Sequence, residues 1–316
     1  MNNFCSIIIP TYNDSLERLK KTINSVLLQT FQNFEIIVVD DCSRQPLGED
    51  DRVLQNQKIK WLRLTRNKGV AGARNAGLKM AKGMYIAFLD AGDWWEPENL
   101  QKKITCFEKG SNRVCMVISG RTIYRRYGKP FVNVPQQSDN WVKTLLVGNP
   151  GIAPCCVLIK KSYLDIVGGF YEKEDIPEDK DLWLRLALIG DFELLPESLV
   201  CYESIISNSR SLLFPEKKKD TYKRYLKLHH DKLIEYGVEK QAWGYYHRAI
   251  SIKYYRSQLI RRGLKHSFMS LKLSWDTRFF LQSLIAALSV LTPFSYEQIS
   301  TEIGSRFLKL FFREYH

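Results

Sequence analysis

The chain has 316 residues, 45% hydrophobic and 26% charged, with 47 Lys and Arg against 34 Asp and Glu. That balance excludes a disordered or fibrous protein, and the length allows one large domain or two smaller ones with their own cores. The net charge of +13 is uneven: residues 206–316 hold 20 Lys and Arg against 9 Asp and Glu, whereas residues 1–205 are nearly neutral. The chain therefore divides into a near-neutral part, 1–205, and a basic part, 206–316, suited to something anionic. Seven cysteines without C-x-x-C spacing give no sign of a zinc ribbon or a thioredoxin-like motif. The opening MNNFCSIIIP lacks a basic n-region and a cleavage site, so the expectation is a cytoplasmic protein with reduced thiols.

Strand and helix signals alternate through the first part. SIIIP (6–10) is an apolar run closed by Pro10. LERLKKTINSVLLQT follows with Leu16, Leu19, Ile23, Val26 and Leu27 at helical spacing. FEIIVVDD (34–41) is a second buried strand, and KIKWLRL (58–64) alternates as a third. NKGVAGARNAGLKMAKG (67–83) predicts a small-residue helix ending at Gly83. YIAFLDAGD, from residue 85, is the fourth strand. MVISG (116–120) and CCVLIKK (155–161) predict further strands, and PEDKDLWLRLALIG (177–190) a helix with Pro177 at its start. After residue 205 the pattern turns helical: a Lys-rich stretch, a helix near 241–262, and an apolar run, RFFLQSLIAALSVLTPF. That run is interrupted by Gln282, Ser283 and Ser289, short of the roughly 20 apolar residues a spanning helix needs.

The βαβ rhythm predicts an α/β fold: a mostly parallel, doubly wound sheet with helices on both faces, followed by the basic helical region. Such sheets bind ligands at the carboxyl ends of their strands. Three strand ends carry polar groups there: Pro10-Thr11-Tyr12-Asn13, Asp40-Asp41, and Asp90 with Asp93.

Six pieces in order resemble the family 2 glycosyltransferases, which have the GT-A fold: SIIIPTYND, QTFQNFEIIVVDDCS, NKGVAGARNAG, YIAFLDAGDWWEP, GGF (168–170) and EDKDLWLRLA (178–187). The resemblance covers about residues 4–203. It implies a nucleotide-sugar donor, UDP-linked or related, and a glycan or lipid-linked acceptor hydroxyl. It also implies inversion at the anomeric carbon, a divalent cation (Mn²⁺ or Mg²⁺), and work in cell-surface polysaccharide or glycolipid synthesis.

Residue by residue, the resemblance makes Pro10, Thr11, Tyr12 and Asn13 the loop around base and ribose. Asp41 accepts the imide hydrogen of the base and Asp40 supports the turn. Asp90 and Asp93 stand in the family's D-x-D region as cation ligands, with Asp90 also at the donor. The common pattern has an acid where this chain has Gly92, and a late His ligand that VCYESIISNSRS lacks; Glu203 is the substitute there. Glu178 and Asp179 match the ED motif, with Asp179 as general base; acids in a first helical turn also complement the helix dipole. Arg74 either holds phosphate or pairs with a strand-end carboxylate. Trp94 and Trp95 either stack on a sugar or pack, and Trp95 with Gly169 is assigned to the acceptor side.

For the basic part the alternatives are a solvated helical face and peripheral contact with an anionic membrane at its inner face. Phe279, Phe280, Leu284, Leu288, Phe307, Leu310, Phe311 and Phe312 would either press into that interface or pack on the first domain. No nucleic-acid module is recognisable, so no nucleic-acid partner is expected. The competing reading, prompted by Gly92, is a catalytically degenerate nucleotide-sugar-binding protein on the same scaffold.

Overall fold

The computed structural model describes residues 3–45, 56–125, 129–148, 150–172, 176–204, 215–257 and 259–275. The chain separates into two compact units, residues 1–145 with 149–206, and residues 146–148 with 207–316. The segment 276–316, with the eight apolar residues assigned above to a membrane interface or to packing, lies outside the described residues.

The first unit is built on one sheet. Strands β1 (Cys5–Thr11), β2 (Phe34–Asp40), β3 (Ile59–Arg63) and β4 (Tyr85–Phe88) are all parallel, in the order β3-β2-β1-β4. β1 and β2 are buried along their whole length, which explains their unbroken apolar runs. β3 alternates because it is the edge strand and only half-covered. Helix α1 (Leu16–Leu27) buries Leu19, Thr22, Ile23 and Val26, while Leu16 is exposed, so the apolar stripe starts one turn later than its sequence pattern. Helix α2 (Gly69–Met80) ends before Lys82 and Gly83. Its small residues let it lie close on the sheet: a Cβ at Gly77 would meet Ile8 Cγ2 at 2.5 Å.

Beyond β4 the sheet becomes mixed. β8 (Val157–Lys160) runs antiparallel to β4 and to β6 (Val114–Arg125), and β9 (Asp191–Ser204) runs parallel to β6. β5 (Trp94–Trp95) closes antiparallel on β9, and β7 (Phe131–Asn133) on β6. Helix α3 (Asn99–Lys109) packs Leu100, Ile104 and Phe107 inward; it is absent from the sequence-based assignment, as are β9 and α4 (Trp141–Val147). Helix α5 (Lys161–Val167) ends on Gly168 in the left-handed region, and α6 spans Glu178–Ala187 with Pro177 as N-cap.

The register sets the site. Thr11 pairs with Asp40, the last residues of β1 and β2, and Phe88 pairs with Ile8. The chain segments after β1, β2 and β4 therefore leave the sheet at one edge.

The second unit is helical. The Lys-rich stretch forms two helices, α7 (Pro215–Leu228) and α8 (His230–Glu235). The single helix expected near 241–262 is likewise two, α9 (Glu239–Arg256) and α10 (Ile260–Leu273). Tyr225, Tyr246, Tyr254 and Tyr255 are buried, and the Nδ1 atoms of His247 and His266 lie 2.8 Å apart. Among the described residues no helix is long and apolar enough to cross a membrane.

Candidate active site at the carboxyl edge of the sheet

The ends of β1 and β2 interlock. Thr11 Oγ1 and the Tyr12 N–H both donate to Asp14 Oδ2, at 3.0 and 3.1 Å. Asn13 sits at φ 55°, a left-handed conformation Asn tolerates. Its N–H donates to Ser43 Oγ at 2.8 Å, and its Oδ1 accepts from the Arg44 N–H at 2.9 Å. Asp40 is buried; it accepts from the Ser43 N–H at 2.8 Å and pairs with Arg63 at 3.3 Å. Asp41 donates its N–H to Thr11 O and accepts the Lys68 N–H at 2.7 Å. Tyr12 is left 48% exposed above this turn, the one ring of the loop open to a ligand.

The end of β4 is governed by arginines. Arg74, on α2, is 3% exposed. Its Nη2 donates to both carboxylate oxygens of Asp90, at 2.8 and 3.0 Å, and its Nη1 lies 3.6 Å from Glu178 Oε1. Burial opposes its charge, but Asp90, Glu178 and Asp179 outweigh it and raise its pKa. Of the two readings of Arg74, pairing with a strand-end carboxylate is thus met. Nε and Nη1 nevertheless stay buried without a hydrogen-bond partner among the described residues.

Arg74 also links the strand edge to the ED pair. Glu178 and Asp179 form the first turn of α6. Burial pushes both carboxyls up; Asp179 adds to the shift of Glu178, while the Lys180 N–H (2.7 Å to Asp179) and Arg74 pull Asp179 back. A carboxylate with raised basicity at a helix N-terminus suits proton abstraction. The GGF turn packs on the same helix, with the Arg74 guanidinium 5.3 Å from the centre of the Phe170 ring. Gly169 has φ 74°, and a Cβ there would meet Asn75 Oδ1 at 2.6 Å. Asn75 clamps the turn, accepting from the Phe170 N–H and donating to Phe170 O, both at 2.8 Å, and also donating to Glu172 at 2.6 Å. Arg185 holds the same turn through Val167 O and Gly169 O.

Two expected residues fall elsewhere. Trp95 is 3% exposed and donates Nε1–H to Cys155 O at 3.0 Å, so it is core and not an acceptor platform. The more accessible ring is the half-buried Trp94, which lies 5.2 Å from Tyr124 with one face covered by the Lys21 ammonium at 3.3 Å. Glu203, the proposed stand-in for a late His, pairs with Lys21 at 3.7 Å.

The D-x-D region does not form a cation cage. Both Asp90 oxygens accept from Arg74 Nη2, although the side chain stays 46% exposed. Asp93 is buried beside Cys155, and burial, with the charge of Asp90, pushes its carboxyl up to about 8. At position 92 there is no donor atom; a Cβ there would clash with the guanidinium of Arg18, which crosses from α1 and donates to Ala91 O at 3.0 Å. Thr22 locks the turn by accepting the Gly92 N–H at 2.8 Å and donating to Asp93 O at 2.7 Å. Among the described residues no three His, Cys, Asp or Glu gather as a metal site. Arg18 and Thr22 escape the sequence analysis because nothing local marks them among Glu17, Lys20 and Lys21; the missing acid at 92 was the available signal.

Comparison with known proteins gives the family and the fold. The family model described as glycosyl transferase family 2 matches residues 6–167. An Escherichia coli relative, UDP-Glc:alpha-D-GlcNAc-diphosphoundecaprenol beta-1,3-glucosyltransferase WfgD, is 31% identical over 205 residues, covering 65% of this chain and 78% of its own. The putative teichuronic acid biosynthesis glycosyltransferase TuaG of Bacillus subtilis is 33% identical over 153 residues, 45% of this chain and 58% of its own. Several relatives are longer: the chain spans 33% of an uncharacterized glycosyltransferase of Rickettsia felis. Among solved structures, the S. aureus TarS fragment in complex with UDP superposes with a TM-score of 0.58 at 18% identity, covering 90% of each chain. The mannosyltransferase PcManGT of Pyrobaculum calidifontis, in complex with GDP-Man and Mn²⁺, gives 0.58 at 16% identity, covering 98% of this chain and 88% of its own. The fold is that of the GT-A proteins, and with just over half of its length matched by the family model the chain belongs to glycosyl transferase family 2.

Proposed function

We propose that the chain transfers a sugar, with inversion, from a nucleotide-sugar donor such as a UDP-hexose to the hydroxyl of a lipid-linked or polymeric glycan. The names of the relatives support the class of donor and acceptor: WfgD uses UDP-Glc and a diphosphoundecaprenol-linked sugar. The observation that carries the reading is the Arg74 bridge, which spans Asp90 at the donor edge and Glu178 beside the base. In this reading the loop of Pro10, Thr11, Tyr12 and Asn13, with Asp40 and Asp41, holds the nucleoside. The acceptor oxygen attacks C1 of the sugar, and its proton goes to the Asp179 carboxylate. The bond from C1 to the diphosphate oxygen breaks, and its electron pair leaves with the nucleoside diphosphate. The GGF turn and Trp94 border the acceptor.

Asp179→Asn tests this assignment. Transfer falls about 10²- to 10⁴-fold, the usual worth of a general base, while UDP binding persists. Unchanged transfer removes Asp179 as the base.

The basic part, 206–316, suits peripheral attachment at an anionic membrane surface where lipid-linked acceptors lie, at the cytoplasmic face. Full-length protein then sediments with anionic vesicles and is released by salt; absence of sedimentation at low salt removes this reading.

A further inference from the structure

The end of β4 departs from a metal site in a particular way. Where the family pattern puts an acid, this chain has Gly92, and the space its side chain would fill is held by a cation. The guanidinium of Arg18 lies against Gly92, fixed by one hydrogen bond to Ala91 O at 3.0 Å. Asp14 stands 3.9 Å from Arg18 Nε, too far for a hydrogen bond. An arginine has five N–H donors. Most of those of Arg18 are unspent among the described residues, and its side chain is 30% exposed. On the other side of the same strand end, Arg74 offers buried Nε and Nη1 hydrogens that no described residue accepts. The two guanidinium groups thus flank Asp90 and Ala91, each with donors to spare.

Gly92 itself has φ 101°, a region L side chains rarely adopt. The turn and the arginine therefore go together. A side chain at 92 would be strained by the backbone and would push Arg18 out.

We propose that this chain works without a divalent cation, and that Arg18 over Gly92, together with Arg74, binds the donor diphosphate and stabilises its charge as it leaves. The proposal rests on the nucleotide-sugar reading above. As the C1–O bond breaks, the electron pair passes to the diphosphate oxygen, and the guanidinium N–H groups donate charge-assisted hydrogen bonds to the diphosphate oxygens. The planar fork of arginine fits phosphate oxygens. Preorganised donors aimed at developing charge act without reorganisation at the moment of reaction. A divalent ion at this strand end would instead lie beside a guanidinium, with one carboxylate already paired and another buried.

The test is calorimetric titration of UDP into the full chain, in EDTA and in Mn²⁺, with uridine as a ligand lacking phosphates. Wild type binds UDP equally in both conditions. Arg18→Ala binds UDP about 10- to 100-fold more weakly, the usual scale for losing a charge-assisted contact, and binds uridine unchanged. Arg18→Lys, which keeps the charge and loses the fork, falls between. Gly92→Ala makes the flexible guanidinium shift and weakens UDP binding by less than Arg18→Ala does; Arg18→Lys serves if Arg18→Ala does not fold. With UDP-sugar and water as acceptor, hydrolysis by wild type survives EDTA. UDP binding that appears only with Mn²⁺, or full UDP affinity in Arg18→Ala, overturns the proposal and leaves the donor reading standing. Binding of neither UDP nor GDP in either condition overturns the donor reading and this proposal with it.

Discussion

The two halves of the sheet edge are built on opposite plans. At the ends of β1 and β2 the polar groups satisfy one another: Thr11 and Tyr12 on Asp14, Asn13 on Ser43 and Arg44, Asp40 on Ser43 and Arg63, Asp41 on Lys68. At the end of β4, among the described residues, Arg74 keeps buried Nε and Nη1 without hydrogen-bond acceptors, and the Arg18 side chain makes one hydrogen bond. The first half is a shape that exists before a ligand arrives. The second holds donors of two kinds: those of Arg74 are desolvated in folding, so a ligand that accepts from them gains more than it would in water, whereas those of Arg18 are part-exposed.

A matched pair of substitutions breaks the comparison if it is wrong. Asp40→Ala removes two charge-assisted partners and strands the buried Ser43 N–H. It costs about 2–3 kcal/mol of stability, read from urea unfolding. Arg74→Met removes a buried cation whose chief partner, Asp90, has a half-exposed side chain that water can solvate. It also leaves the buried Glu178 and Asp179 without their nearby cation, so it costs stability, though less than Asp40→Ala because Asp90 stays solvated, and it weakens UDP binding. Equal stability losses in the two variants would show that both ends are simply structural.

A smaller effect sharpens the comparison through pH. The folded carboxyl of Asp93 is pushed up to about 8, chiefly by burial and then by Asp90. Between its ordinary range and about 8 the folded chain therefore binds a proton that the unfolded chain has released. That contribution is complete below the ordinary carboxylate range and is lost as pH rises through about 8. Asp93→Asn removes this slope from the melting temperature over pH 5–8. An identical slope in wild type and variant would place the titration elsewhere.

The parallel half of the sheet was legible because burial on both faces leaves continuous apolar runs such as SIIIP and FEIIVVD. β9 was hidden by its own irregularity. Its register against β6 breaks between Leu195 and Ser198, and Pro196 and Glu197 fill that bulge, where a proline needs no ladder hydrogen bond. The Asp40-Asp41 and Glu178-Asp179 pairs could be found because each is contiguous in sequence. Whether Trp94 or Trp95 faces outward could not, since it depends on β5 closing against β9. Arg18 was beyond reach for the same reason: its meaning comes from Gly92, and only packing of α1 on the β4 end brings them together.

That meeting also bears on redesign. Arg18 and Gly92 share one space from two places in the chain. A mutation installing an acid at 92 meets the arginine already in its seat. One removing the arginine leaves Arg74 as the remaining guanidinium at this strand end. Redesigning this edge to take a metal would therefore mean more than placing an acid at 92: the space is held by Arg18, and Asp90 is held by Arg74.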